Sequence, residues 1–405
     1  MSAIQRLIAI AGFALIVAAC SNGDAVSDST IDSETADAGA TDDDGEPLGD
    51  IGTDDWPTFR LESQRRGLDA TDGPLLDEPE LIWQFDTGGI VESSPAVVDN
   101  TVYVGTFDEQ LWALDARTGE PRWSFAVGGL LRSSPAVVDG VVFFGADDNL
   151  FYAIDSTSGE EIWRFELGGG GQQSSPAVVD GVVFFGAFDN FVYALDAETG
   201  AEIWRFETGD GILSSPLVVD GVVYIGSIDG VFYAINAATG AEVWNHETVR
   251  PIFSSGAFVP ADVGPNGRTA IAFGADDGRV YNIDLETGEL NWLVASAAPV
   301  FATPAVDDGI VYVGSRDGSF AAIEADTSEV IWASDLTEVL GSAAIDDERI
   351  YVGSSDGNLY VLDRADGSTI AQLPTGEMVW TSPALVDGFL YFGAHDGQIH
   401  AYRVQ

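Results

Sequence analysis

Few side chains in this sequence are of a type and spacing that suggest bond-making chemistry. GSSDG, Gly353 to Gly357, fits the G-x-S-x-G pattern that exposes a nucleophilic serine. That pattern works on a strand-to-helix elbow, whereas here it sits in a turn between two strand-like runs. Sibling stretches of the chain put Phe107, Asp147 or Arg316 where Ser355 stands, so Ser355 is not read as a nucleophile. The three histidines are His246, His395 and His400. Only the last two can lie close together, and no carboxylate is placed by spacing to orient either one, so neither a metal site nor a general base is assigned. The single cysteine, Cys20, excludes an internal disulfide and a multi-cysteine metal centre. One acid does recur, as Asp108, Asp148, Asp189, Asp229, Asp277, Asp317, Asp356 and Asp396. Eight carboxylates invite a calcium reading. However, each is followed by Gly or Asn, or once by Glu109, which is the chemistry of a tight turn needing positive φ. The recurrent acid is therefore read as structural. No catalytic residue, metal ligand or cofactor ligand is assigned.

The elements that carry these residues repeat. The phrase SSPAVVDGVVFFG has equivalents beginning at residues 93, 133, 174, 214, 254, 302, 341 and 381. Each copy continues through a turn carrying the recurrent Asp, a run such as FYAID, a turn such as AETGA, and a run such as EIWRF. Four short β-branched and aromatic runs separated by Gly, Asp and Asn turns predict one four-stranded antiparallel sheet per repeat. Such sheets are apolar on both faces and become stable only when packed radially against one another. The last repeat stops three strands in, and a spare fourth-strand phrase, LIWQF at Leu81 to Phe85, precedes the first. The expected fold is all-β: an eight-bladed β-propeller of four-stranded antiparallel blades, closed by an N-terminal strand.

Composition bounds the partners. Acidic residues outnumber basic ones 66 to 16, for a formal charge of −50, and every basic residue is Arg. That charge repels nucleic-acid phosphates and anionic lipid headgroups, so no nucleic-acid partner is expected. Arg6 followed by the apolar stretch Leu7 to Ala19 reads as a signal peptide over residues 1–19, too short to span a bilayer. It ends VAAC, Val17 to Cys20, which looks like a bacterial lipobox with Val in place of the usual Leu. That resemblance implies lipid attachment at Cys20. Residues 20–50 then form the lipidated Cys and an acidic tether without bases or aromatics, which cannot bury enough surface to fold. A lead-in covers 51–79 and the propeller 80–405. The expected location is lipid-anchored outside the cytoplasm: the periplasmic face of the outer membrane in a Gram-negative cell, otherwise the outer face of the cytoplasmic membrane.

The phrases SSPAVVDG, FGAFDN, YALDAETG and WRF resemble the PQQ-like repeat propellers over residues 54 to 405. The resemblance implies that Trp83, Trp123, Trp163, Trp204, Trp244, Trp292 and Trp332 dock adjacent blades, with Ala371 as the exception. Within that family, quinoprotein dehydrogenases hold pyrroloquinoline quinone and calcium in the central funnel, some on a ring of adjacent cysteines, and those with haem carry C-x-x-C-H. This chain has neither cysteine motif and has short blades. It is most similar to the BamB-type lipoproteins, which implies a non-enzymatic, monomeric scaffold binding an envelope or extracellular protein. An extracellular carbohydrate- or polymer-binding propeller and a PQQ/calcium dehydrogenase are the alternatives. Alternation puts the second-to-third-strand turns and the blade-to-blade loops on one face. The expected contact residues there are the exposed-looking apolar tips Phe107, Phe188 and Ile228, with Arg132 and Trp380 from the loops. Leu131, Phe253 and Phe301 are expected to cap neighbouring blades. An insertion from Val259, VPADVGPNGRT, lengthens a loop on the opposite face.

Overall fold

In the computed structural model the described residues are 75–405 apart from Asp77. The expected signal peptide, Cys20, the expected acidic tether and most of the expected lead-in lie outside them. Among the described residues the strands form eight four-stranded sheets, each antiparallel and in simple meander order except one. The first blade runs outward through Ala96–Val98, Thr101–Gly105, Gln110–Asp115 and Pro121–Ala126. The exception is the eighth. There Ala384–Val386, Phe389–Gly393 and Gln398–Arg403 take Glu80–Asp86 as their outer strand, paired antiparallel from Glu80 opposite Arg403 to Asp86 opposite Gln398. Arg403 and Glu80 reinforce that seam with an ion pair at 2.5 Å. The expected closure by an N-terminal strand is what the chain adopts.

Turn chemistry fixes each blade. In six of the eight first hairpins both central residues are left-handed, as at Asp139 (φ 51°) and Gly140 (φ 78°), the geometry whose twist matches the flanking strands. In the second hairpins the residue after the recurrent Asp has positive φ in all eight blades, from Glu109 at 65° to Gly318 at 91°. The Asp itself is occupied. Asp148, Asp189, Asp229, Asp277 and Asp356 accept the hydroxyl of a third-strand tyrosine at 2.6–2.7 Å. The first three also accept a glycine N–H from the loop entering their blade.

Blades meet through stacked aromatic rings and docked tryptophans. Phe151 stacks on Phe185 at 4.1 Å and Phe232 on Phe273 at 4.4 Å, each pair spanning two blades. Every fourth-strand indole donates its N–H to a carbonyl of the next blade: Trp83 to Ala116, Trp123 to Ser156, Trp163 to Ala197, Trp204 to Ala237, Trp244 to Leu285, Trp292 to Ala325 and Trp332 to Arg364, at 2.7–3.2 Å. The Ala371 exception has a physical reason. The following blade has no turn after its third strand, because its outer strand comes from the N-terminal side. The carbonyl at the equivalent place, Val404 O, accepts Leu76 N instead, at 2.9 Å. An indole at 371 would meet a carbonyl that is already engaged and no third-to-fourth-strand turn to pack on.

The Val259 insertion staples blades five and six on the face opposite the interblade loops. Asn266 N donates to Asp326 Oδ1 at 3.1 Å, and Val263 lies over Gly309.

Candidate functional site

The face carrying the interblade loops is knitted backbone to backbone. The N–H of each second-turn tip bonds a loop carbonyl, as Phe107 does to Ile90, Asp147 to Leu130, Ile228 to Gly211, Arg316 to Pro299 and His395 to Met378 at 2.9–3.0 Å, and Phe188 to Gly171 at 3.4 Å. These turns and loops thus share one face, as the alternation requires. Each loop then offers two consecutive side chains with opposite fates. Val91, Leu131, Gln172, Ile212, Ile252, Val300, Val339 and Val379 turn into the blades and are fully buried. The next residues, Glu92, Arg132, Gln173, Leu213, Phe253, Phe301, Leu340 and Trp380, line the mouth of a central funnel.

Beneath them runs a ring of hydroxyls from Ser94, Ser134, Ser175, Ser215, Ser255, Thr303, Ser342 and Ser382. The backbone N–H of each donates to the hydroxyl of the next blade at 2.8–3.0 Å, and Ser382 N closes the circle on Ser94 Oγ. Each hydroxyl has accepted one N–H and still carries a proton of its own.

Around half of the mouth the side chains form one connected chain of contacts. Phe253 meets Phe301 edge-on at 4.8 Å, and the Arg316 guanidinium lies 5.2 Å from the Phe301 ring. Arg316 donates to Glu338 at 2.7 Å, and Ser355 Oγ donates to the other Glu338 oxygen at 3.1 Å. Ser355 also accepts the Trp380 indole N–H at 3.0 Å, and Trp380 packs edge-on against His395 at 4.5 Å. His395 Nε2 lies 3.4 Å from Glu92, whose second oxygen is 3.3 Å from Arg132. Arg132 finally pairs with Asp147 and covers the Phe107 ring at 4.8 Å. Burial pushes the Asp147 carboxyl above its ordinary range, Arg132 pulls it back, and Glu92 adds to the rise.

The structure revises several expectations. Ile228 is not an exposed tip: it is 3% accessible, with its N–H held on Gly211 O at 3.0 Å. Phe107 and Phe188 are half-buried, the first under Arg132 and the second against Gly211. Arg132 and Trp380 do face the funnel. Leu131 caps a blade as expected, but Phe253 and Phe301 line the mouth. Both C-terminal histidines have a carboxylate neighbour that spacing did not reveal, Glu92 for His395 and Asp396, at 3.1 Å, for His400. Among the described residues no three His, Cys, Asp or Glu side chains converge as a metal site. Glu92, Glu338 and Ser355 were missed. For Glu92 the signal was position, since the residue just before the repeated serine pair differs from blade to blade; Glu338 lies three residues before its pair and Ser355 at a second-turn tip, where no repeat marks them.

An eight-bladed disc with a serine-ringed funnel and docked tryptophans defines a PQQ-like repeat β-propeller. The model of the family described as "Beta-alanine-activating enzyme, beta-propeller" matches residues 75–310, more than half of the chain, and the chain belongs to that family. A second model, described as "Outer membrane protein assembly factor BamB", matches residues 253–405, and the chain resembles that factor. BamB of Yersinia pestis is 29% identical over 157 residues, which cover 32% of this chain and 37% of that protein. Among solved structures, quinohemoprotein alcohol dehydrogenase from Comamonas testosteroni superposes with a TM-score of 0.76 at 17% identity, covering 86% of this chain and 80% of that one. BamB from Moraxella catarrhalis gives 0.69 at 18% identity, covering 80% of this chain and 100% of that one. At these identities the structural likeness is one of fold.

The funnel residues do not suit a polycarboxylate quinone with calcium. Arg132 is already neutralised by two carboxylates, and Glu92 would face the incoming anion.

Proposed function

We propose that the chain is a non-catalytic, membrane-anchored scaffold that docks a protein of the bacterial cell envelope, as the name of the assembly factor it resembles suggests. The observation that carries this reading is how the mouth uses its reactive-looking groups. Arg132, His395 and Ser355 each touch and position a neighbouring side chain instead of converging on one point. Cys20 would carry the lipid, residues 21–50 would hold the propeller off the membrane, and the outer membrane is the expected site. The partner meets the loop face, where Phe107 and Phe188 present half-buried rings and Arg132 and Trp380 stand inside them. The charge of −50 favours a partner with a basic surface.

Pull-down with the anchored full-length protein tests this. Phe188→Asp places a charge where a ring would be covered, and is expected to lose the partner while the fold melts normally. An unchanged set of captured proteins would remove this face from consideration.

A further inference from the structure

Beyond the scaffold role, we infer that the funnel mouth is a binding site for a neutral saccharide, taken end-on, with its ring on Trp380 and its hydroxyls on the polar arc and the serine ring. The inference does not rest on the scaffold reading.

Charge selects the ligand class first. The carboxylates around the mouth, Glu92, Asp147 and Glu338, are each held by an arginine. Arg132 and Arg316 are held in return. A cationic ligand would have to break these pairs, and an anionic one would enter a chain of net charge −50 where Arg132 and Arg316 are already paired. A neutral ligand meets neither obstacle.

The lining then selects for a ligand with both apolar faces and many hydroxyls. Blade order places residues four blades apart across the axis. Glu92 therefore stands opposite Phe253, Arg132 opposite Phe301, Gln173 opposite Leu340, and Trp380 opposite Leu213. Each polar group on the axis faces an apolar one, and the floor is a circle of hydroxyls. Sugar rings carry C–H faces that pack on aromatics and a rim of hydroxyls that both donate and accept.

Trp380 is built as a platform. Its N–H is fixed on Ser355 and its ring is braced by His395. His395 has its side chain 8% accessible, with Nε2 in ion-pair reach of Glu92 yet making no hydrogen bond. The loop behind the indole is also given room. Most blades carry Ser or Thr at the first position of the serine pair, but blade seven has Gly341. A β-carbon there would lie 2.8 Å from Trp380 O and 2.7 Å from Thr381 O. Gly341 thus admits the backbone that carries Trp380, a positioning role.

Isothermal titration of the full-length protein with maltose, lactose and N,N′-diacetylchitobiose tests the proposal. At least one is expected to bind at millimolar concentration or better, and tighter than a disaccharide bearing a uronic acid. Trp380→Ala should weaken it at least tenfold, Trp380→Phe less, and Gly341→Ala a few-fold. Gln173→Leu, on the far side of the mouth, should also weaken binding and serves should the Trp380 variants fail to fold. Phe188→Asp, outside the lining, should leave sugar binding unchanged even if it abolishes protein capture. No heat with any of the three sugars, equal affinity in folded Trp380→Ala and Gln173→Leu, or preference for the uronic acid would each overturn the proposal.

Discussion

At the scale of the residue, the docked tryptophan does two physical jobs that the other side chains cannot combine. Its ring fills the gap that widens toward the rim, and its N–H satisfies a carbonyl in the next blade's turn. Trp204 is 9% accessible, bonds Ala237 O at 2.8 Å, and lies so close to Gly240 that a β-carbon there would meet the ring at 2.8 Å. Trp204→Ala should therefore leave a void and an unbonded carbonyl, destabilising by about 3–5 kcal/mol. A denaturant melt measures this. A loss below about 1 kcal/mol would mean that the indole does not hold the blades together. The serines divide in the same way between inner and outer tasks. Ser93, Ser174 and Ser254 accept the second-strand glycine N–H at 3.1 Å, and their neighbours Ser94, Ser175 and Ser255 form the ring. Where both hydroxyls are present, one binds its own sheet and the other binds the next blade; blades six and seven, with Ala302 and Gly341, keep only the second.

At the scale of the element, the strand Glu80–Asp86 decides whether the sheet array is a circle. It leaves Gln398–Arg403 with a partner where it would otherwise offer a bare edge, and it brings Trp83 to Ala116 in blade one. A chain starting after Asp86 should lose its single cooperative thermal transition and pair through the freed edge. Chromatography with light scattering would detect the larger species, and a monomer with an unchanged melt would contradict the role given to this strand. The strand was legible because LIWQF repeats a phrase found in other blades, and recurrence inside one chain marks what every blade needs. The same logic explains what was not legible. The axis-facing position holds six residue types in eight blades, so no repeat announces it; only the ring geometry turns Glu92, Gln173 and Leu340 into one lining. Likewise Phe188 and Ile228 look alike as apolar turn tips. Yet Ile228 is buried while Phe188, set against Gly211, is only half-buried, a difference the turn sequence does not carry. The fold was written in what repeats, and the candidate site in what does not.

At the scale of the whole molecule, burial and charge act together on the tyrosines. The chain has 11 of them, and in every one burial is the leading cause that pushes the phenol above its ordinary value near 10. In Tyr152, Tyr193, Tyr233 and Tyr360 the hydrogen-bonded turn carboxylate adds to the rise. Tyr224 and Tyr360 are pushed up to about 12. In the unfolded chain the same phenols ionise near pH 10. The fold therefore holds protons that the unfolded state has released, and by linkage its stability falls as pH rises from about 10 through 12, with the full contribution present below 10. Each phenolate formed also adds to a charge already at −50, which acts in the same direction. An alkaline titration followed by phenolate absorbance and far-ultraviolet circular dichroism should show the two signals moving together, with little phenolate before the strands are lost. A gradual rise in phenolate near pH 10 while the circular dichroism holds steady would mean that the rings lie open to water, and that the blades do not pack as described.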